Sequence, residues 1–430
     1  MPRLHLRTIA LLCLLILLAG CAVNPVTGER DLNFQSEAWE LAVGQQQYAP
    51  LRQQQGGDFN MDADLVAYVR SVGQRLAAVA RNDRDLPYEF NVINDSVPNA
   101  WALPGGKISN NRGLLTDMES EAELAAVLGH EIVHSAASHG AQQQSRSSLL
   151  QGAIIVSGIA VGAATGDEGY TAATLAGGSL GAQLISQSYS RDAERQSDLY
   201  GMRYMKQAGY NPRGAVELQE TFVRLAEGRQ SSSFDLLFAS HPPSQERVEN
   251  NRALLAELGD SGEVGKERYQ QIVERLKRAQ PAYKTYDEGR TALSDEDYAL
   301  ALQKANQAIA IEPDEALFHG LRGDALSQQS NYTEAERAYS QALRLNESWF
   351  YHHLRRGMVR ETQGQLHGAR EDLQASIDRL ATATGYYYLG NVERSAGNTS
   401  QAIEHYRVAA QSSSDVGQRA KLALQEMGAN

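Results

Sequence analysis

A repeat in the C-terminal third of the chain constrains its fold more than any other feature of the sequence. Small residues keep an interval of 34 residues in two registers, and the last member of each register comes one residue early. The registers are Gly289, Gly323, Gly357 and Gly390, and Ala301, Ala335, Ala369 and Ala402. Small side chains at fixed points let the two helices of a hairpin approach closely, and hairpins repeated at this interval stack into a solenoid. The sequence therefore predicts four helical hairpins over residues 282–413 and a cap helix at 414–430.

This interval resembles the tetratricopeptide repeat, and Pro313 stands where that repeat ends its first unit. The resemblance implies a concave face that binds a protein partner. Two aromatic runs, at 349–351 and 386–388, are candidates for that face. We favour packing within the first helices of their units for most of these rings, with partner binding as the alternative.

A second constraint comes from the sequence His130-Glu131-Ile132-Val133-His134. On a helix, two histidines four residues apart project from the same face. Two neutral imidazoles in this arrangement can hold one Zn²⁺ per chain, and Glu131 then lies beside the open position of the metal. The residues Ser120 to Glu123 form a capping box just upstream, which predicts a helix here. The alternative is a helix with two ordinary surface histidines.

A carboxylate completes such a site when it comes from a second helix. The segment from Ser190 to Asp198 has helical character, and Glu194 and Asp198 share a face. Glu194 is therefore the candidate third ligand, and Asp198 could accept the outer N–H of a ligand histidine. Because Arg191 and Arg195 lie in the same segment, a solvated charged face is the alternative.

The N-terminus resembles a lipoprotein signal peptide over residues 1–20, with a basic start, a short apolar stretch and Leu-Ala-Gly before Cys21. An uncleaved membrane anchor is the alternative. Cys21 would carry lipid. Ala22 after it is not the aspartate that would hold a lipoprotein at the inner membrane, so by resemblance to that sorting rule we expect the mature protein in the periplasm, anchored to the inner face of the outer membrane. Removing two of the 40 basic residues with the signal leaves 38 against 52 acidic residues. This excess of negative charge argues against nucleic acid as a partner.

Two further segments carry open interpretations. A Pro-Gly-Gly break within β-like sequence is typical of a sheet edge, so Gly105, Gly106, Lys107 and Ile108 are predicted to hold a substrate as an added strand. A hairpin without a partner is equally compatible. The apolar segment at 149–185 is interpreted as buried helices or a flap over the cleft, with membrane contact as the alternative.

From about Asn24 to Leu258 the chain resembles HtpX-like zinc peptidases of the gluzincin type. Four segments carry the resemblance: the two helices above, the Asn-Ala-x-Ala-x-Pro-Gly-Gly stretch before residue 107, and Ser-His-Pro-Pro at 240–243. It implies an α+β fold and the following roles. Zinc ligands are His130, His134 and Glu194; Glu131 is the general base; Asp198 orients a ligand or donates a proton; and His241 stabilises the tetrahedral intermediate or is an inhibitory fourth ligand. His139 does not fit the metzincin pattern, and we expect it to be structural.

The predicted architecture is mainly α: an α+β gluzincin domain at 21–258, a linker and a connecting helix at 259–281 that ends at Pro281, then the all-α repeats and cap. Two functions are open. One is a zinc endopeptidase that degrades misfolded or stalled outer-membrane β-barrel proteins, with the repeats docking on the assembly machinery. The other is a chaperone or scaffold built on the repeats, with a silent metal site.

Overall fold

The computed structural model describes residues 21–159, 183–185, 188–227 and 234–429. The predicted signal segment at 1–20 and most of the apolar segment at 149–185 lie outside these residues. Among the helices that are described, none is both long enough and apolar enough to cross a membrane.

The N-terminal region, residues 21–258, has two small sheets and nine helices among its described residues. Its strands are β1 (Cys21–Val23), β2 (Arg30–Leu32), β3 (Glu89–Ile93), β4 (Ala100–Leu103) and β5 (Lys107–Asn111). Its helices are α1 (Glu37–Gln54), α2 (Ala63–Ala80), α3 (Arg112–Leu115), α4 (Glu121–Ala136), α5 (His139–Ile159), α6 (Arg191–Gln207), α7 (Arg213–Glu227), α8 (Asp235–Ser240) and α9 (Gln245–Leu258). Strands β1 and β2 form an antiparallel hairpin.

The larger sheet has the order β3-β5-β4, with β5 parallel to β3 and antiparallel to β4. The prediction that Gly105, Gly106, Lys107 and Ile108 form a free substrate-binding edge is therefore wrong. Gly105 and Gly106 make the turn with positive φ angles of 80° and 83°, and Lys107 and Ile108 begin the central strand. Because both sides of β5 are already paired, it has no unpaired backbone to offer a substrate.

In the C-terminal region, residues 266–429, all elements that the structure describes are helices. They are α10 (Lys266–Ser294), α11 (Tyr298–Ile311), α12 (Ala316–Gln328), α13 (Tyr332–Leu345), α14 (Phe350–Thr362), α15 (Leu366–Arg379), α16 (Ala383–Ser395), α17 (Thr399–Ala409) and α18 (Asp415–Glu426). From the second half of α10 onward they form four consecutive hairpins and a final single helix. The mainly α fold class is confirmed.

Two details of this region connect sequence to packing. A β-carbon at Gly323 would lie 2.6 Å from the ring of Tyr339, and one at Gly390 would lie 2.7 Å from the ring of Tyr406. Glycine at these points of the repeat therefore makes room for a tyrosine of the second helix.

The predicted helix end at Pro281 is wrong, because α10 continues through it. A proline costs a helix one hydrogen bond, but the residues around Pro281 are buried, and this packing outweighs the cost.

The repeats are joined to the N-terminal region by buried polar and apolar contacts. The indole N–H of Trp349 donates to the carbonyl of Gln53 at 2.9 Å, and its ring lies against Gly57. The buried Glu315 carboxylate accepts from the side chain of Asn94 at 3.1 Å. Trp349 thus packs between the two regions rather than on an open partner-binding face.

Candidate metal centre

Helix α4 brings the first two candidate ligands together. Ser120 caps its N-terminus and accepts from the backbone N–H of Glu123, which satisfies one free donor of the first turn. The carboxylate of Glu123 accepts from the backbone N–H of Glu119, just before the cap. His130 and His134 then lie one turn apart on the same face, and their Nε2 atoms are 2.9 Å from each other. His134 is fully buried and the side chain of His130 is 12% exposed.

Helix α6 brings the third candidate ligand to the same point. Glu194 lies in its first turn, with Oε1 at 3.2 Å from Nε2 of His134 and Oε2 at 3.5 Å from Nε2 of His130. The two helices approach closely because Gly129 and Gly201 face each other where they cross. A β-carbon on Gly201 would lie 3.1 Å from the backbone nitrogen of His130. Glu194 therefore does not lie on a solvated, charged helix face, which was the alternative. It is buried against both imidazoles.

The donors at this point fit a tetrahedral divalent metal. Ligands about 2.0–2.1 Å from a tetrahedral ion lie about 3.3 Å apart, and the three ligand–ligand distances above bracket that value. His241 adds a fourth donor to the group, all within 4.8 Å of one another. Burial alone would lower the pKa of His130, but the Glu194 and Asp198 carboxylates raise it to about 10. The carboxylates around His130 therefore favour a positive charge at this point, which a metal cation supplies when it takes the place of the proton.

His130 is oriented by a carboxylate. Its Nδ1 lies 3.0 Å from Oδ1 of Asp198, which leaves Nε2 free to face the other ligands. Asp198 is in turn held by the Arg247 guanidinium, whose Nε and Nη2 each donate at 2.7 Å. Burial would raise the pKa of Asp198, but Arg247 holds it below its usual value.

Arg247 is a functional residue that the motifs do not include. It lies in the first turn of α9, where a cation meets the positive end of the helix, and it is buried there. Such a position is unfavourable without a buried anion close by. The signal in the sequence is an arginine in the first turn of the predicted helix, while its burial is known only from the structure.

His134 is oriented differently. Its Nδ1 lies 2.9 Å from Nδ1 of His139, and Nε2 of His139 lies 3.1 Å from Oε1 of Gln196. The ring of Tyr189 stacks on the imidazole of His134 with centroids 3.8 Å apart. We expected His139 to be structural, and the structure adds that it contacts the candidate ligand His134.

The candidate base and His241 complete the site. Glu131 is 2% exposed, its Oε2 has no hydrogen-bond partner among the described residues, and burial raises its pKa. Nε2 of His241 lies 3.5 Å from Oε1 of Glu131, and Nδ1 of His241 lies 3.0 Å from Oε1 of Glu194. A buried carboxylate with one free oxygen beside the ligands is suited to accept a proton from a water at this point.

These donors and this base define a metallopeptidase, and it is joined to its own helical repeats. Residues 64–255 match the model of peptidase family M48, and residues 286–348 and 354–416 match a tetratricopeptide repeat model. The chain belongs to peptidase family M48.

Three Escherichia coli proteins illustrate the similarity. Metalloprotease YcaL is 34% identical over 191 residues, which is 43% of this chain and 70% of YcaL. Metalloprotease LoiP is 31% identical over 175 residues, 41% of this chain and 66% of LoiP. The beta-barrel assembly-enhancing protease is 28% identical over 194 residues, 44% of this chain. The matched part is 39% of that protease's own length.

Proposed function

We propose that this protein is a zinc-dependent endopeptidase that acts on misfolded or stalled outer-membrane β-barrel proteins in the periplasm. The observation that carries the proposal is the position of Glu194, whose carboxylate lies within 3.5 Å of both imidazoles of α4. Two neutral imidazoles and one carboxylate, with a fourth position to spare, are the donor set of catalytic zinc sites.

The residues of the site have separate tasks. Zinc held by His130, His134 and Glu194 would supply Lewis-acid activation of a water and of the scissile carbonyl. Glu131 would take a proton from a water in the site and pass it to the leaving amine, and burial, which raises the pKa of its carboxyl group, makes the carboxylate a stronger base. Asp198 holds the ring of His130 in the orientation that ligation requires.

His241 has two candidate roles, because it faces both Glu131 and Glu194. As a donor to the developing oxyanion it would assist hydrolysis, and as a fourth ligand it would inhibit. The zinc-loaded His241→Ala variant separates the two on a casein-like substrate. A gain of activity supports inhibition, and a loss supports catalysis.

The cellular setting is proposed from one relative and from the repeats. A relative is named for enhancing β-barrel assembly, and tetratricopeptide repeats are typical of protein–protein contact. We propose that the repeats dock on the outer-membrane assembly machinery, and that a lipid on Cys21 anchors the protein to the inner face of the outer membrane.

Metal analysis and proteolysis test the enzyme. We expect one zinc per chain in the purified protein, loss of this zinc in Glu194→Ala, and hydrolysis that falls by roughly 10²–10⁴-fold in Glu131→Gln. Glu119→Gln, an exposed change near the start of α4, is the matched control. A zinc-free wild-type protein, or an unaltered rate in Glu131→Gln, would contradict the proposal.

Complementation of a deletion strain tests the alternative function. If Glu131→Gln complements fully while substitutions on the repeats do not, the protein works as a chaperone or scaffold, and its metal site is silent.

A further inference from the structure

The contact between His134 and His139 depends on an unusual turn. His134 lies in the last turn of α4, and His139 is the first residue of α5. Between them Ser138 has a φ angle of 59°, in the left-handed region that residues other than glycine seldom adopt. Such a conformation persists where the surrounding structure enforces it, and it is common at functional sites.

A buried ion pair enforces this turn. The Ser138 hydroxyl accepts from Nη1 of Arg84 at 2.7 Å and donates to Oε1 of Glu40 at 2.9 Å. Arg84 and Glu40 are themselves paired, with side chains 8% and 2% exposed. The buried side chains of Glu40, Arg84 and Ser138 thus hold His139, the first residue of α5, against the last turn of α4.

The hydrogen-bond directions through His139 follow from what a metal ligand requires. If Nε2 of His134 binds a metal, that atom carries no proton, so the proton of the neutral ring is on Nδ1. This N–H then donates to Nδ1 of His139, and the remaining proton of His139 is on Nε2. The atom of Gln196 that faces this N–H is its amide oxygen, an acceptor, as the scheme demands.

The alternative directions do not allow ligation. If His139 donated from Nδ1, the ring of His134 would accept there and carry its proton on Nε2, at the atom that must face the metal. Ser197 also lies near, with its Oγ 3.5 Å from Nδ1 of His139, but its hydroxyl adapts to either direction. Gln196 is therefore the group that selects one direction.

We propose that His139 is a positioning residue that fixes the tautomer of the ligand His134, and that Gln196 fixes the tautomer of His139 in turn. This inference rests on the metal site proposed above. It assigns the two ligand histidines different partners, a carboxylate for His130 and a neutral imidazole for His134.

Zinc affinity of the full chain, measured by competition with a chromophoric chelator, tests the proposal. Loss of a partner of a metal ligand typically weakens metal binding by about 10–100-fold, and we expect this in His139→Leu. In His139→Asn the side-chain oxygen can take the place of Nδ1 as acceptor, so most of the affinity should return. His367→Leu, at an exposed histidine of the repeats, is the control and should bind zinc as the wild type does.

A second readout needs no metal. In metal-free protein Nε2 of His134 also faces an acceptor, Oε1 of Glu194 at 3.2 Å, so His139 and Glu194 compete for the proton of the ring. With ¹⁵N-labelled histidine, long-range ¹H–¹⁵N spectra should show a larger fraction of His134 protonated at Nδ1 in the wild type and in His139→Asn than in His139→Leu. In His139→Leu the Glu194 carboxylate is the acceptor that remains, so the proton should move to Nε2. A change in packing alone would not alter the position of the proton.

The outcomes that overturn the proposal are distinct from failure of the enzyme. Unaltered zinc affinity and tautomer in His139→Leu, or equal loss in the Leu and Asn variants, would overturn it. If His139→Leu does not fold, the variants Gln196→Leu and Gln196→Glu test the proposal instead. Gln196→Leu should weaken zinc binding, while Gln196→Glu keeps an acceptor for His139 and should bind zinc more tightly than Gln196→Leu. Equal zinc affinity of these two variants would overturn the proposal. Wild-type protein that binds no zinc would contradict the proposed function, while the spectra would still report the tautomer.

Discussion

Replacing Arg247 with methionine tests whether the carboxylates of the metal centre depend on a buried counter-charge. The guanidinium makes two hydrogen bonds of 2.7 Å to Asp198, and its Nη1 lies 2.8 Å from Oε2 of Glu194. The three side chains are 7%, 10% and 4% exposed. Methionine keeps much of the length of the arginine stem and removes its charge.

The expected loss is large because the partners stay behind. Removing one member of a buried ion pair costs about 3–5 kcal/mol, since the other charge is left without compensation. Here two carboxylates lose the same cation. We therefore expect the free energy of unfolding of the metal-free protein to fall by about 3–5 kcal/mol.

Urea unfolding in the presence of a chelator, followed by tryptophan fluorescence, measures this loss. Arg252→Met is the matched control, because Arg252 lies on the same helix and pairs with Glu220 at the surface, where both side chains are at least 39% exposed. Such exposed pairs contribute about 0–1 kcal/mol. Equal losses in the two variants would refute the idea that burial of the Arg247 pair stabilises the centre.

Three further predictions concern other parts of the molecule. Burial raises the pKa of Glu123 to about 7, above its value in the unfolded chain, so stability should fall as the pH rises from about 4.5 to 7 by up to about 3 kcal/mol, and Glu123→Gln should remove this slope in urea unfolding. Trp349→Ala removes the indole bond to Gln53 and should destabilise the junction by about 3 kcal/mol, seen as faster limited proteolysis between the two regions. Gly201→Val should push α6 away from α4 and weaken zinc binding, measured by chelator competition.

The local parts of the metal centre could be predicted from the sequence because helical spacing alone fixes them. His130 and His134 share a face of one helix, and Glu194 and Asp198 share a face of another. That the two faces meet depends on a contact between residues far apart in sequence, at Gly129 and Gly201. Spacing carries no information on this contact, and the family resemblance supplied it.

The two wrong predictions came from local rules that distant packing overrides. The turn at Pro104–Gly106 follows from its residue types, but the place of the next strand in the sheet depends on its parallel pairing with β3. Pro281 is a helix breaker by local chemistry, and the burial of its neighbours keeps α10 intact. Both errors therefore lie at the level of tertiary structure.

The charges of the centre explain why these residues occur together. Glu131, Glu194 and Asp198 bring three carboxylates into a buried space, and Arg247 brings one positive charge. Ligation requires neutral imidazoles at His130 and His134, and with His139 and His241 neutral as well the sum is two negative charges, which one divalent cation balances. An isolated buried charge is costly, so this balance favours a divalent ion over a monovalent one. The same count shows why Arg247 belongs to the centre although it binds no metal: without it, a zinc-loaded site would keep one negative charge in the interior of the protein.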